Sequence, residues 1–241
     1  MILQQFPNHH ALSQHTAEHI AALINQRPDA LLCLASGDTP IETYHRFVAL
    51  AQTNQVDVSR CTFVGLDEWV GFGPDDAGSC SYYVYRDLFR PLGLQVEQIH
   101  TFNAKAEDLS AECARIDALI DSRGGLDLLL VGMGMNGHIA LNEPGTPFTN
   151  GCHIVELAES TKTVGQKYFD HETLLTQGIT VGLRHLTEAR DVVLLISGAK
   201  KAPMLKTALT GPVTEQVPAS IIQLRPNTRV WVDEEAGRLL F

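Results

Sequence analysis

The sequence alternates between short, uninterrupted apolar runs and segments with helical periodicity. Ala17, Ile20, Ala21 and Ile24 follow the i, i+3, i+4, i+7 spacing of one helix face, and the apolar run 30–35 follows soon after them. Uninterrupted apolar runs are typical of strands that are covered on both faces. Because strands that alternate with helices form parallel sheets, the pattern predicts an α/β fold with a doubly wound, mostly parallel, Rossmann-like sheet. The predicted strands are 30–35, 62–66, 126–131, 192–197 and 229–232, and the predicted helices between them are 41–50, 81–89, 109–120 and 202–209.

The length and composition predict a single domain over residues 1–241. The chain has no linker rich in Pro, Ser or Gly, no repeat and no low-complexity tract. Hydrophobic residues make up 44% of the chain and charged residues 19%, which excludes a disordered chain or a coiled coil.

The net charge of −10 argues against a nucleic-acid partner or an anionic membrane surface, because the protein as a whole repels phosphate. An anionic ligand therefore needs a local basic pocket, for which Lys200, Lys201 and Lys206 are candidates. No apolar stretch approaches the length of a membrane span, and the N-terminus lacks the features of an export signal. The five cysteines are widely spaced and odd in number, which predicts reduced thiols in a cytoplasmic protein.

The first predicted strand runs into a turn at 36–38 that opens a helix. Thr39, Pro40 and Glu42 have the spacing of an N-cap, a first helical residue and a capping-box partner. Exposed N–H groups at such a start can bind phosphate, but a plain strand-to-helix turn has the same sequence features. Asp38 would repel an anion unless its side chain points away.

The second predicted strand ends in the adjacent carboxylates Asp67 and Glu68. Neighbouring side chains on extended backbone point to opposite faces, so only one of the two can face a given pocket. A catalytic carboxylate and a solvated loop acid are both compatible with this segment.

The segment GMGMNGHIALNEP after the strand at 126–131 matches GxGxxG, yet a dinucleotide site is disfavoured because Pro144 interrupts the chain where a long helix should follow. The glycines instead predict a loop that lies close to a ligand and presents Asn136, His138 and Glu143 together. A histidine near a carboxylate can move protons at neutral pH, although a lone loop histidine is often only a packing residue.

The segment His15 to His19 matches H-x-x-E-H, a zinc-binding spacing. It lies on the polar side of an amphipathic helix without an evident third ligand, and no metal site is expected there.

Taken together, several segments resemble the glucosamine-6-phosphate deaminase family, which includes galactosamine-6-phosphate isomerases and is related to the 6-phosphogluconolactonases. The likeness runs from about residue 30 to 233, and its most specific part is NGHIALNEP. The other segments that carry it are SGDTP, LDEW, GGLDLLLVGMGM, ITVGL and LLISGAKKA.

The resemblance implies roles for four catalytic residues. In the family, the aspartate of the LDE segment removes the proton from C2 of the sugar, and Asp67 holds that position. The histidine of the GH pair opens the pyranose ring with help from the glutamate of NEP and from an Asp or Asn before the GH pair, which correspond to His138, Glu143 and Asn136. Many members have aspartate at this last position, and an amide can only orient its neighbours.

The resemblance also implies a phosphate site formed by the SG-T loop, a basic residue after NEP and a lysine after the LLISG strand. Most relatives have a small residue at Asp38 and arginine at 167, and lysine acts as a point charge rather than a bidentate fork. The matching positions are Ser36, Gly37, Thr39, Lys167 and Lys201.

The expected function is therefore the conversion of an amino-hexose 6-phosphate and water to a ketohexose 6-phosphate and ammonia, without metal or cofactor. The sequence leaves open whether glucosamine or galactosamine 6-phosphate is the substrate, and whether the protein is a homo-oligomer. A mobile segment around 144–175 is expected to cover the site. The alternatives are a 6-phosphogluconolactonase, disfavoured by LNEP and DEW, and a non-catalytic sugar-phosphate sensor, disfavoured because only 29 residues precede the first predicted strand.

Overall fold

A seven-stranded parallel sheet forms the centre of the computed structural model, which describes residues 1–241. The strand order is β1-β10-β9-β6-β2-β3-β5, and every neighbouring pair in it is parallel. The ten strands of the chain are β1 (Ile2–Phe6), β2 (Leu31–Leu34), β3 (Thr62–Gly65), β4 (Asp67–Trp69), β5 (Ile99–His100), β6 (Leu128–Val131), β7 (His153–Glu156), β8 (Gln177–Thr180), β9 (Asp191–Ile196) and β10 (Arg229–Asp233).

Helices cover both faces of this sheet. The α-helices are α1 (His9–Gln26), α2 (Ile41–Gln52), α3 (Cys80–Val84), α4 (Arg90–Leu92), α5 (Leu109–Ser122), α6 (Glu159–Gly165), α7 (Leu183–Glu188), α8 (Ala202–Thr210) and α9 (Glu234–Gly237), and a π-helical segment, Tyr85–Phe89, joins α3 to α4.

Strand β2 shows why the central runs are apolar throughout. Leu31 and Cys33 pack into one hydrophobic core with α5 and α8, whereas Leu32 and Leu34 pack into a second core with α1 and α2. Successive side chains of a strand point to opposite faces, so a strand between two cores needs an apolar residue at every position. The predicted doubly wound α/β fold is confirmed.

A small antiparallel sheet, β4-β8-β7, is an addition that the sequence analysis did not predict. Its strand β4 follows β3 after only Leu66, so the chain passes from the parallel sheet into the small sheet at the residue before Asp67. A separate cluster of buried side chains packs at this small sheet, formed by Trp69, Leu141, Leu157 and Leu175. Residues 144–175 are thereby attached to the carboxyl edge of the parallel sheet.

The predicted capping box at the start of α2 was wrong. Helix α2 begins at Ile41 with Pro40 as its N-cap, and no side chain caps it. Glu42 instead forms an ion pair with Arg46, 2.7 Å away, in the i, i+4 arrangement that stabilises helices. None of the helices is both long and apolar enough to span a bilayer.

Candidate active site

A cavity of about 230 Å³ opens at the carboxyl ends of β2, β3, β6 and β9. This is where an open parallel α/β sheet is expected to bind ligands. Eight of the nine predicted site residues line it: Ser36, Gly37, Thr39, Asp67, Asn136, His138, Lys167 and Lys201. The ninth, Glu143, is buried and contacts the side chains of two of them, Asn136 and His138.

Asp67 projects into the cavity from the first position of β4. The Ser36 hydroxyl lies 3.5 Å from its Oδ1, and the Cys80 thiol is within hydrogen-bonding contact of the same carboxylate. Burial raises the pKa of Asp67 to about 7, against the opposing effect of these hydrogen bonds. A carboxylate with a pKa near neutrality is suited to taking up a proton from carbon and returning it.

Glu68 points to the other face, as predicted for an adjacent carboxylate. Its Oε1 accepts hydrogen bonds from the backbone N–H groups of Trp69 and Cys80, both at 2.9 Å, and its Oε2 accepts one from Ser81 N at 2.8 Å. The side chain is almost completely buried. Glu68 therefore fixes the start of α3 to β4, and it positions Cys80 beside Asp67.

His138 is held by the loop between β6 and β7. Its Nδ1 lies 3.4 Å from Glu143 Oε2 and 3.3 Å from the Thr161 hydroxyl, and its backbone N–H donates to Asn136 Oδ1 at 3.2 Å. The ring lies against Gly134, where any Cβ atom would overlap it. Nε2, the ring atom that lies nearest Gly134, forms no hydrogen bond within the protein.

Glu143 is the anion that orients this imidazole. Its Oε2 accepts a hydrogen bond from Asn136 Nδ2 at 2.7 Å, and its Oε1 accepts one from Ala158 N at 3.2 Å. Burial favours the neutral acid, but hydrogen bonds from His138, Thr161 and Asn136 outweigh it and hold the pKa of Glu143 at about 2. Glu143 is therefore charged at neutral pH and can stabilise an imidazolium.

Lys201 is the half-buried cation of the cavity. Its Nζ donates to the backbone carbonyl of Met133 at 2.5 Å, and it has no carboxylate partner. Burial and the nearby charge of Lys167 lower its pKa. A half-buried ammonium without a counter-ion loses part of its hydration, so this end of the cavity favours an anionic ligand.

The turn at 36–39 faces the same end of the cavity. Gly37 has a φ of +95°, a conformation that side chains rarely adopt, and the Tyr168 hydroxyl lies over it. Lys167 Nζ lies 2.5 Å from Asp38 Oδ2 and 4.7 Å from the centroid of the Tyr168 ring. The Asp38 carboxylate thus faces Lys167.

Three further residues of the site were not predicted: Cys80, Thr161 and Tyr168. Cys80 begins a helix that Glu68 positions, and the other two lie in the segment after NEP, so their approach to the cavity depends on tertiary packing. Within that segment, the resemblance implied a role only for Lys167, which is next to Tyr168.

Two groups of potential metal ligands lie outside the cavity and share His185, which bonds to Asp117. Arg184 lies 3.6 Å from Asp117, 3.1 Å from Asp121 and 3.3 Å from Glu188, so a cation already neutralises these carboxylates.

The H-x-x-E-H segment packs on the sheet. His15 and His19 contact the Trp231 ring, and His19 also bonds to Asp191 at 2.7 Å.

Comparison with known proteins points to one family. Residues 8–231 match the family of glucosamine-6-phosphate isomerases and 6-phosphogluconolactonases. A putative deaminase, AgaI, of Escherichia coli is 40% identical over 93% of this chain and 89% of its own length. A glucosamine-6-phosphate deaminase of a Geobacillus species is 38% identical over 100% of this chain and 96% of its own.

Solved structures agree with this. A structure described as a monomeric glucosamine-6-phosphate deaminase is 36% identical, covers 99% of this chain and 100% of its own, and superposes with a TM-score of 0.95. A 6-phosphogluconolactonase of Trypanosoma brucei covers 100% of this chain and 98% of its own with a TM-score of 0.77, but at 19% identity this likeness shows the fold alone.

Proposed function

The chain belongs to the family of glucosamine-6-phosphate isomerases and 6-phosphogluconolactonases, and we propose that it is an amino-hexose 6-phosphate deaminase. The proposed reaction converts glucosamine or galactosamine 6-phosphate and water to the ketohexose 6-phosphate and ammonia. One observation carries the proposal: a half-buried carboxylate, an imidazole oriented by a glutamate, and a half-buried lysine without a counter-ion line one cavity.

Ring opening is assigned to His138. Nδ1 faces Glu143, so Nε2 takes the proton of the O1 hydroxyl and returns it to the ring oxygen, which gives the open-chain aldehyde. The imidazolium that forms in between is stabilised by the Glu143 carboxylate, which the low pKa of this group keeps charged.

Asn136 orients both partners and moves no proton itself. Its amide nitrogen donates to Glu143, and its amide oxygen accepts the backbone N–H of His138. An aspartate could not donate to Glu143 unless it were protonated, so asparagine suits a site in which Glu143 stays charged.

Isomerisation is assigned to Asp67. Its carboxylate removes the C2 proton of the open-chain aldehyde amine and delivers it to C1, so that an enolamine becomes a ketose imine. Water then adds to C2 of the imine, and ammonia leaves. The raised pKa of Asp67 brings the proton affinity of this base close to the working pH.

The phosphate group anchors the substrate at the other end of the cavity. Lys201, the turn at 36–39 and Lys167 converge there. Binding at this remote group holds C1 and C2 between Asp67 and His138, and such positioning contributes several kcal/mol to lowering a reaction barrier.

The segment 144–175 is proposed to open and close over the substrate. It supplies Thr161, Lys167 and Tyr168 to the cavity wall. A substrate that these three residues cover can enter or leave only if the segment moves.

A single copy of the chain carries every residue of this site, so the proposed chemistry does not need residues from a second copy. A cytoplasmic location is proposed because all five cysteines are free thiols.

An assay of ammonia release tests the function. We expect turnover of one or both epimers, glucosamine and galactosamine 6-phosphate, and a ketohexose 6-phosphate product in equal amount. Hydrolysis of 6-phosphogluconolactone without ammonia release from either amino sugar would assign the chain to the lactonases instead. Binding of both epimers without turnover would indicate a sensor.

A further inference from the structure

Asp38 and Lys167 form a charged pair in the wall of the cavity. Their side chains form an ion pair with an Nζ to Oδ2 distance of 2.5 Å, although they lie 129 residues apart in the chain. Both line the cavity, at the end proposed to hold the phosphate.

The pair joins the two segments that surround this end of the cavity. Asp38 belongs to the turn after β2, and Lys167 follows α6 in the segment 144–175. Next to the pair, the Tyr168 hydroxyl lies over Gly37, and the Lys167 ammonium lies over the Tyr168 ring. The arrangement places Lys167 between a carboxylate and an aromatic face.

At this end of the cavity, one lysine is paired with a carboxylate and the other is not. Lys201 is half-buried and has only a carbonyl partner, whereas Lys167 is neutralised by Asp38. Because Asp38 presents carboxylate oxygens to the same ammonium that a phosphate would approach, the two anions compete for Lys167.

We propose that the substrate phosphate displaces Asp38 from Lys167, and that Asp38 thereby sets the affinity of the enzyme for its phosphorylated substrate. This inference rests on the proposed function. The side chains of Asp38 and Lys167 are 65% and 49% exposed, so the pair is weak enough to open. Lysine suits such an exchange because it is a point charge that does not require the fixed bidentate geometry of arginine.

The variant Asp38→Asn tests the inference. It removes the competing charge while keeping the size of the side chain, so the KM for amino-hexose 6-phosphate should fall about two- to fivefold, the range expected for an exposed ion pair. The kcat should change much less, because Asp38 does not face the reacting carbons. Asp75→Asn is the matched control: it removes an equal charge from an exposed aspartate that forms no ion pair or side-chain hydrogen bond, and it should leave KM unchanged.

A second background separates displacement from general repulsion. In Lys167→Ala protein, Asp38→Asn should lower KM by a clearly smaller factor, since no ion pair remains to be broken. An equal factor in both backgrounds would overturn the inference, because Asp38 would then act only as a nearby negative charge. A rise in KM for Asp38→Asn would also overturn it and would indicate that the pair holds the site in its binding conformation.

Calorimetry with inorganic phosphate keeps this test separate from the proposed function. Asp38→Asn should bind inorganic phosphate two- to fivefold more tightly than the unmodified protein and the Asp75→Asn control. This result would support the inference even if neither amino sugar were turned over, and unchanged phosphate affinity would overturn it even if both were.

Discussion

The imidazole of His138 lies so close to Gly134 that a Cβ atom at this position would overlap the ring. Gly134 does not have a positive φ, so its backbone conformation is open to any residue. The glycine is required at this position because of the approach of His138 alone. This contact connects the glycine-rich sequence after β6 directly to the proposed chemistry, without any role for nucleotide binding.

Gly134→Ala should therefore displace His138 and lower kcat/KM by about 10²-fold, which is typical for a misplaced catalytic group. Gly73→Ala is the control, because a Cβ at Gly73 meets only atoms at ordinary contact distance outside the cavity. Steady-state kinetics and thermal unfolding of both variants check this. If Gly134→Ala kept full activity, His138 would not need its present position, and the ring-opening role would be wrong.

Much of the fold follows from the sequence because the central strands are buried on both faces. Strand β2 has no polar residue, and its predicted range, 30–35, exceeds the observed strand by one residue at each end. Strand β1 has an alternating burial pattern at the sheet edge, and β5 has only two residues, so neither gives a continuous apolar signal. Strands β4, β7 and β8 pair with one another over long sequence separations, which local periodicity does not report.

In the site, too, the sequence predicts contacts between residues of one loop but not contacts that depend on tertiary packing. His138 and Glu143 are five residues apart in one loop, so a motif can predict their proximity. Cys80 reaches Asp67 only because Glu68 binds the start of α3, and no pattern encodes that contact. The capping-box error at Glu42 has a local cause that the sequence does contain, since Arg46 competes for the carboxylate four residues later.

Asp67→Asn should bind substrate but lose the transfer of the C2 proton, with a fall in kcat of about 10²- to 10⁴-fold. The readouts are ammonia release and exchange of the C2 hydrogen with solvent. Retention of C2 exchange at the normal rate would assign the base to another group.

Glu68→Gln should mainly lower stability, whereas Asp67→Asn should mainly lower kcat. Glu68 is a buried carboxylate that accepts several hydrogen bonds, each worth about 1.5–3 kcal/mol when the acceptor is charged. We expect a lower melting temperature and a smaller loss of kcat than for Asp67→Asn. Calorimetry and kinetics on the same preparation compare the two, and a stable but inactive Glu68→Gln would contradict the assignment.

The pH dependence of kcat/KM should have an acidic limb near pH 7, because Asp67 must be ionised to act as a base and its pKa is raised to about 7. The Cys80 thiol lowers this pKa by hydrogen bonding, so Cys80→Ala should move the limb to higher pH, and Cys80→Ser, which retains a donor, should not. The second ionisation of the substrate phosphate, near pH 6, gives a limb that does not respond to Cys80.

The same pKa predicts how stability changes with pH. Asp67 binds its proton more tightly in the folded protein than in the unfolded chain, whose ordinary value is 3.8. Between about pH 4 and 7 the folded state therefore holds more protons, and this group lowers the free energy of unfolding as the pH rises. Asp67→Asn removes the effect, so the variant should melt at a higher temperature than the unmodified protein at pH 8, with a smaller difference at pH 5. Equal melting temperatures of the two proteins at pH 8 would mean that ionisation of Asp67 does not destabilise the folded state.

Lys201→Ala should weaken substrate binding through loss of the half-buried cation at the phosphate end of the cavity. Hydrogen bonds to charged groups are worth about 1.5–3 kcal/mol, so KM should rise by roughly 10- to 100-fold. Lys200→Ala is the matched control, since Lys200 is exposed and is the adjacent lysine in the chain. In the unmodified protein the half-buried Lys201 ammonium has no counter-ion, so Lys201→Ala should not lower the melting temperature in the absence of substrate. Added inorganic phosphate should raise the melting temperature of the unmodified protein and of Lys200→Ala but not that of Lys201→Ala, because only a ligand that binds the folded state stabilises it. A phosphate-dependent rise in Lys201→Ala as large as that in Lys200→Ala would place the anion elsewhere.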